Sequence, residues 1–146
     1  MLEPRGLSRN DQIRPDGVTL IPWSKGKCVV WDYTCRDTLC SSHVSQTSQE
    51  ASRAAVKAEQ IKLKHYQELG ATFTVVPIAM ETMGSWGPDS LKFVSEIGQR
   101  IASHTGEKRS ASYLFQAISV AVQRGNVASV RGSLPNEKTL NEIYYL

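Results

Sequence analysis

Apolar residues fall in short blocks along this chain, and the spacing inside each block separates strands from helices. Val18-Thr19-Leu20-Ile21 is a brief β-branched run between Gly17 and Pro22, which predicts a short strand. Cys28-Val29-Val30-Trp31-Asp32-Tyr33-Thr34 is longer and mixes β-branched with aromatic residues, so it predicts a second strand. A turn over Ser24-Lys25-Gly26-Lys27 joins the two and predicts a hairpin. Residues 47–69 hold neither Gly nor Pro and are dominated by Ala, Glu, Gln and Lys. They predict a helix of roughly six turns, with Gly70 as its C-terminal cap. Residues 72–79 read as strand again. Pro88-Asp89 opens a second helix that runs to about Ser103 along Val94, Ile97 and Ile101 and stops at Gly106. A third helix spans about Ser110 to Arg124 and carries Leu114, Ala117, Ile118, Ala121 and Val122, with Gly125-Asn126 expected to interrupt or end it. Beyond Gly132, Pro135-Asn136 marks a turn, and Leu140 to Leu146 reads either as a short helix or as a frayed tail.

The resulting order, β-β-α-β-α-α, predicts a mixed α/β (α+β) domain with one small mixed sheet built on a β-hairpin. The expected division is an N-terminal loop over 1–13, one domain over 14–131 and a C-terminal tail over 132–146. A length of 146 residues suits a single domain with a real core. Hydrophobic residues at 40% and charged residues at 21% argue against intrinsic disorder. No apolar run approaches the ~20 residues of a membrane span. The segment MLEPRGLSRNDQ lacks the apolar core of a signal peptide, so the expected location is intracellular, with the nucleus open. Cys28, Cys35 and Cys40 are odd in number, and with His43 they do not form the close pairs of a structural zinc site. They are expected to be buried or free thiols. A net charge of +3 permits a polyanionic partner without indicating one.

The candidate chemistry begins with two acids. Asp16 sits in Arg14-Pro15-Asp16-Gly17 at the mouth of the first strand, and Asp32 lies inside the apolar second strand. A carboxylate in such a strand is costly to bury unless it is paired or metal-bound. A hairpin would bring the two side by side, where they repel, and a Mg²⁺ ion between them would relieve that repulsion. The simpler alternatives are a Pro-Asp-Gly turn at Asp16 and an arginine partner for Asp32, such as Arg14 or Arg36. The helix adds a third group. At ~100° per residue, Ala51, Ala55, Ala58, Lys62, Tyr66 and Leu69 share one stripe, with Arg53, Lys57, Lys64 and Glu68 on the solvated face. Lys62 therefore sits at the centre of the sheet-facing stripe, where it either snorkels outward or meets a carboxylate. His65 lies at the stripe's edge, as a core histidine or a phosphate contact. Two acids and an inward lysine suit phosphodiester hydrolysis, in which the metal activates water and the lysine orients it or stabilises developing charge.

These residues resemble a known family. Arg14-Pro15-Asp16-Gly17, then Val29-Val30-Trp31-Asp32-Tyr33-Thr34, then Lys62, His65 and Tyr66 in a Lys-x-x-basic-Tyr pattern are similar to the restriction-enzyme-like endonuclease domain. That domain follows the reverse transcriptase of some non-LTR retrotransposons and belongs to the PD-(D/E)XK superfamily. Pro77 to Thr82 and Gln123 to Asn126 are similar to segments of reverse-transcriptase-like or uncharacterised proteins of invertebrate genomes. The resemblance covers about residues 2–132. It implies that Asp16 and Asp32 bind the catalytic Mg²⁺ or Mn²⁺, that the lysine assists the water, and that DNA is the substrate. Three departures stand out. Thr34 occupies the usual place of the superfamily lysine, so Lys62 would be a relocated lysine. His65 stands where related sequences favour lysine. Little chain precedes the first strand, leaving only Glu3 and Asp11 as acids for the usual first helix, as in a fragment of a longer element-derived protein.

Around this set, Glu81 is a candidate auxiliary acid or a plain strand-end glutamate, and Tyr66 and Arg14 are candidate auxiliaries through the motif. Lys25, Lys27 and Arg124 are candidate phosphate contacts. Trp23, Trp31 and Trp86 read as core or sheet cover, with base stacking on Trp86 as the alternative. Three readings stay open. The first is a metal-dependent DNA endonuclease. The second is a nucleic-acid-binding or structural remnant of the same fold that no longer cuts. The third is an interaction domain in which Asp16, Asp32 and Lys62 form a buried salt-bridge network.

Overall fold

A computed structural model describes residues 14–133, together with Leu2, Pro4 and Leu7. Strand β1 (Gly17–Val18) pairs antiparallel with β2 (Val29–Arg36). The connecting hairpin closes tightly: the Lys27 amide donates to the Ser24 carbonyl at 2.9 Å, and Lys25 and Gly26 adopt φ of 50° and 74°. Two successive positive φ values match the turn type whose twist suits a hairpin. On its other side β2 pairs in parallel with β3 (Thr74–Glu81), giving the sheet order β1-β2-β3. Parallel neighbours need a crossover, supplied by α1 (Val44–Thr47) and α2 (Arg53–His65). Helices α3 (Pro88–Thr105) and α4 (Ser110–Ser133) follow β3. This is the mixed α/β fold and small mixed sheet expected from the hydrophobic pattern, with α1 added.

Several boundaries move. β1 stops at Val18, because the Val29 amide donates to the Thr19 hydroxyl at 3.0 Å. Leu20 and Ile21, expected in the strand, are exposed. The single helix expected over 47–69 is broken at Ser52, whose φ is 66°, and its far end tightens into a 3₁₀ turn over Gln67–Ala71. Gly70 thus lies within that turn instead of capping α2, and Ala51 is exposed outside the helix. Helix α4 continues through Gly125-Asn126, where the Asn126 side-chain Nδ2 donates to the Thr82 carbonyl at 2.8 Å and ties that part of the helix to the body. Gly106 ends α3 as expected, in the left-handed conformation. Most of the 1–13 loop, the turn at Pro135-Asn136 and the segment Leu140 to Leu146 fall outside the described residues.

One face of the sheet packs on α2. Val18 and Val30 meet Tyr66 and Leu69, and Ala55 and Ala58 meet Ala79. The alanines let the helix sit close to the strands. Two buried glutamates then fasten the helix starts. Glu81 Oε1 accepts the amides of Ala54 and Ala55 at 2.9 and 3.2 Å. Glu59 Oε1 accepts the Ser90 amide and hydroxyl at 2.8 and 2.6 Å, and its Oε2 accepts the Asp89 amide at 3.2 Å. Each carboxylate satisfies first-turn donors that a helix leaves unpaired and lies at the positive end of the helix dipole. The Ser90 hydroxyl also accepts the Ala79 amide at 2.7 Å, which covers the outer edge of β3. The tryptophans are half-buried cover: Trp31 lies over Gly17, Trp23 under the Arg100 guanidinium, and Trp86 edge-on to Phe115. All three cysteines are free thiols.

Candidate functional site

Alternation along β2 sends Val30, Asp32, Thr34 and Arg36 to one face, the face that α2 covers. Val30 meets Tyr66 and Leu69 at one level. At the next, Asp32 Oδ2 accepts an ion-paired hydrogen bond from Lys62 Nζ. The Asp32 side chain is 7% exposed and that of Lys62 25%, so the pair is shielded but its lysine reaches solvent. Lys62 holds this position because it follows Ala58 and precedes Tyr66 by four residues on the buried stripe. The inward lysine expected from the helical pattern therefore meets a carboxylate and does not snorkel away.

Asp16 approaches from β1. The hairpin register pairs Val18 with Val30 and Gly17 with Trp31, so its next step sets Asp16 opposite Asp32. Opposed residues share a face, with Cβ atoms ~5 Å apart. Asp16 Oδ2 accepts the amide of Tyr33, the residue after Asp32, at 2.6 Å. Its flanks are fixed: Pro15 is fully buried, and Gly17 lies against the Trp31 ring with no room for a side chain. Tyr66 closes the cluster from α2's C-terminal end. Its hydroxyl donates to the Arg14 carbonyl at 3.3 Å. Burial first, and then the charges of Asp32 and Asp16 and a hydrogen bond with Asp32, hold the phenol well above its ordinary pKa. Tyr66 therefore stays protonated beside the two acids. His65 is exposed and rests edge-on against Tyr66, with ring centroids 4.8 Å apart.

The donor set defines which cation would suit the site. Among the described residues no group of three or more His, Cys, Asp or Glu side chains could hold a metal. A cation here would rest on two carboxylates and take its remaining ligands from water and substrate oxygens. That is the coordination habit of Mg²⁺ and not of structural zinc. The contacts of Asp16 with Tyr33 and of Asp32 with Lys62 each use Oδ2, so Oδ1 of each acid is the candidate ligand atom.

Other residues singled out in the sequence lie elsewhere. Glu81 is opposite Arg36 in the sheet, while Asp32 is opposite Pro77. Its carboxylate is committed to the start of α2, so it does not join Asp16 and Asp32 as an auxiliary acid. Lys25 and Lys27 line a cavity of about 600 Å³ beside Trp23 and Phe93, and Lys27 Nζ donates to the Gly70 carbonyl at 3.1 Å. Arg124 lies on α4 beside Val120 and Val127. None of these three lysine and arginine side chains shares a described contact with the acid pair. Sequence reading missed the structural roles of Glu59 and Glu81. An acid inside an alanine-rich buried stripe was the available signal for Glu59.

Fold and site together define a mixed α/β domain with a shielded carboxylate–lysine pair and a second acid opposed to it across a hairpin. In comparisons with known proteins, no family model matches the chain, and no curated protein or solved structure matches it. Among the described residues no helix is long and apolar enough to cross a membrane.

Proposed function

We propose that this domain is a divalent-metal-dependent endonuclease acting on DNA, of the restriction-enzyme-like type associated with non-LTR retroelements. The observation that carries the reading is the meeting of Asp16, Asp32 and Lys62, three residues from separate elements, at one end of the α2-covered face. The motif resemblance over Arg14 to Thr34 and Lys62 to Tyr66 supports the same reading. Asp16 and Asp32 would hold Mg²⁺ or Mn²⁺ through Oδ1. The bound ion supplies polarisation of the phosphoryl oxygen and a more acidic water. Lys62 pairs with Asp32 and holds it in place, and its ammonium would stabilise charge developing on a bound phosphate. Tyr66, neutral beside the acids, donates its hydroxyl to the Arg14 carbonyl and fixes that backbone without competing as a base. His65 and Arg14 are exposed beside Tyr66.

The test is nicking of supercoiled plasmid in Mg²⁺ by the wild-type chain and by Asp16→Ala, Asp32→Ala and Lys62→Ala. The expected result is nicking by the wild type alone, abolished by EDTA. Equal nicking by wild type and Asp32→Ala would remove the site from consideration. A second reading, a binding or structural remnant of the same fold, is favoured by one observation: Lys62 is ion-paired to Asp32, one of the two acids a cation would need. It is distinguished by intact folding and DNA binding with no cleavage in either Mg²⁺ or Mn²⁺.

A further inference from the structure

At the opposite end of the α2-covered face lies a second feature. A cavity of about 170 Å³ opens between the end of β2, the loop before α1 and the start of α2. Arg36, Ser42, His43 and Lys57 line it together with Ala54, Ala58 and Ile61. No acid lines it. Among the described residues neither the Arg36 guanidinium nor the Lys57 ammonium is ion-paired. The neighbouring acids are committed: Asp37 Oδ1 accepts from the Leu39 amide at 3.1 Å and the Thr82 hydroxyl at 3.2 Å, and Glu81, which shares the Arg36 face of the sheet, is bound to the Ala54 and Ala55 amides. His43 is held in place, its Nε2 donating to the Asp37 carbonyl at 2.8 Å and its Nδ1 sharing a hydrogen with the Ser42 hydroxyl at 2.8 Å. The volume matches five or six waters at ~30 Å³ each, which accommodates one phosphate group with part of its hydration.

We infer that this cavity is a phosphate subsite that holds a backbone phosphodiester of the nucleic acid bound at the acid pair. The inference rests on the nuclease-like reading for its ligand. Arg36 and Asp32 share one face of β2 four residues apart, which is ~13 Å at ~3.3 Å per residue. That span is on the order of two phosphodiester steps along a strand, whose successive phosphates lie farther apart than the ~3.4 Å axial rise per base. A strand laid along α2 would thus present one phosphate to Asp16, Asp32 and Lys62 and another to Arg36 and Lys57. The arginine fork supplies paired donors to phosphate oxygens, and the lysine supplies a point charge. Contacts of this kind set register and orientation without reading sequence. Lys57, assigned from the helical pattern to the solvated face, acquires its role only because the loop carrying Ser42 and His43 folds alongside it.

The experiment measures binding of a fluorescein-labelled DNA duplex to the full 146-residue chain in EDTA, by anisotropy across a salt series. Arg36→Gln and Lys57→Gln are each expected to reduce the slope of log K against log salt by about 0.9, and the double variant by about 1.8, with equal weakening for unrelated sequences. Lys64→Gln, on the solvated side of α2, is expected to leave the slope unchanged. A parallel titration with inorganic phosphate is expected to move the Ser42 and His43 backbone amide resonances of the wild type and not of the double variant. If the double variant keeps the wild-type slope, or the wild type binds no DNA, the subsite is overturned. Loss of slope in a chain that never nicks plasmid leaves the subsite standing and removes only the catalytic reading, so the two failures are separable.

Discussion

Replacing Lys62 with methionine removes the ammonium while keeping most of the stem. Asp32 then remains in a site where its side chain is 7% exposed, without the ammonium that paired with it. Breaking a buried ion pair by removing one member costs ~3–5 kcal/mol. The Lys62 side chain is 25% exposed, so water screens part of the interaction and the lower end, about 3 kcal/mol, applies. For a domain of this size that corresponds to a fall of roughly 10 °C in melting temperature. Lys62→Met/Asp32→Asn should recover much of the loss, because the orphaned charge is gone. Added Mg²⁺ should stabilise Lys62→Met more than the wild type, since the ion no longer competes with an ammonium for Asp32. At ten times its dissociation constant the gain is about 1.4 kcal/mol. Thermal melts of the three proteins, with EDTA and with Mg²⁺, read all of these terms. A Lys62→Met protein melting within ~2 °C of wild type in EDTA would refute the shielded pair. Identical Mg²⁺ shifts in wild type and Asp16→Asn/Asp32→Asn would refute the cation site.

Three further outcomes follow from the packing. Tyr66 is neutral in the folded chain well above its ordinary pKa of 10.0, so its contribution to stability is complete below about pH 10 and is lost as the pH rises beyond that toward the folded value. Tyr66→Phe should therefore lose less stability than wild type between pH 9 and 11 in urea titrations, with a residual slope from Tyr33, whose phenol is pushed up to about 12 chiefly by burial; parallel slopes would contradict this. Glu59→Gln sets an amide group against the Asp89 and Ser90 donors, should cost ~1–3 kcal/mol, and should strip hydrogen-exchange protection from the Ser90 amide. Unchanged protection there would show that α3 does not depend on the Glu59 carboxylate. Gly98→Ala would drive a methyl into the Ala111 backbone and side chain at the α3–α4 crossing. It should cost ~1–3 kcal/mol, with Trp86 fluorescence reporting the loosened Phe115 contact.

The elements that could be read from the sequence are those whose cause is local. β2 follows from a dense β-branched and aromatic run, and α3 begins at Pro88 and ends at Gly106 through its own caps. Lys62 was also readable, because a single cation amid alanines on one stripe has few places to go. The rest depended on distant partners. The break at Ser52 has no Gly or Pro to announce it; Thr47, at the end of α1, instead bonds the Thr38 carbonyl at 2.6 Å. Asn126 reads as a helix breaker until its bond to Thr82 is known. Glu81 reads as a strand-end acid because its partners, Ala54 and Ala55, offer only backbone amides, which leave no mark in a sequence.

Those glutamates also govern how the domain can come into being. Glu81 reaches back 27 positions to Ala54, and Glu59 reaches forward 31 positions to Ser90. Neither α2 nor α3 can finish its own beginning from neighbouring chain. During synthesis both helix starts are therefore completed only once the stretch through Ser90 has left the ribosome. Long-range closures of this kind slow the search, and the helix that carries Lys62 completes its start only once Glu81 is in place.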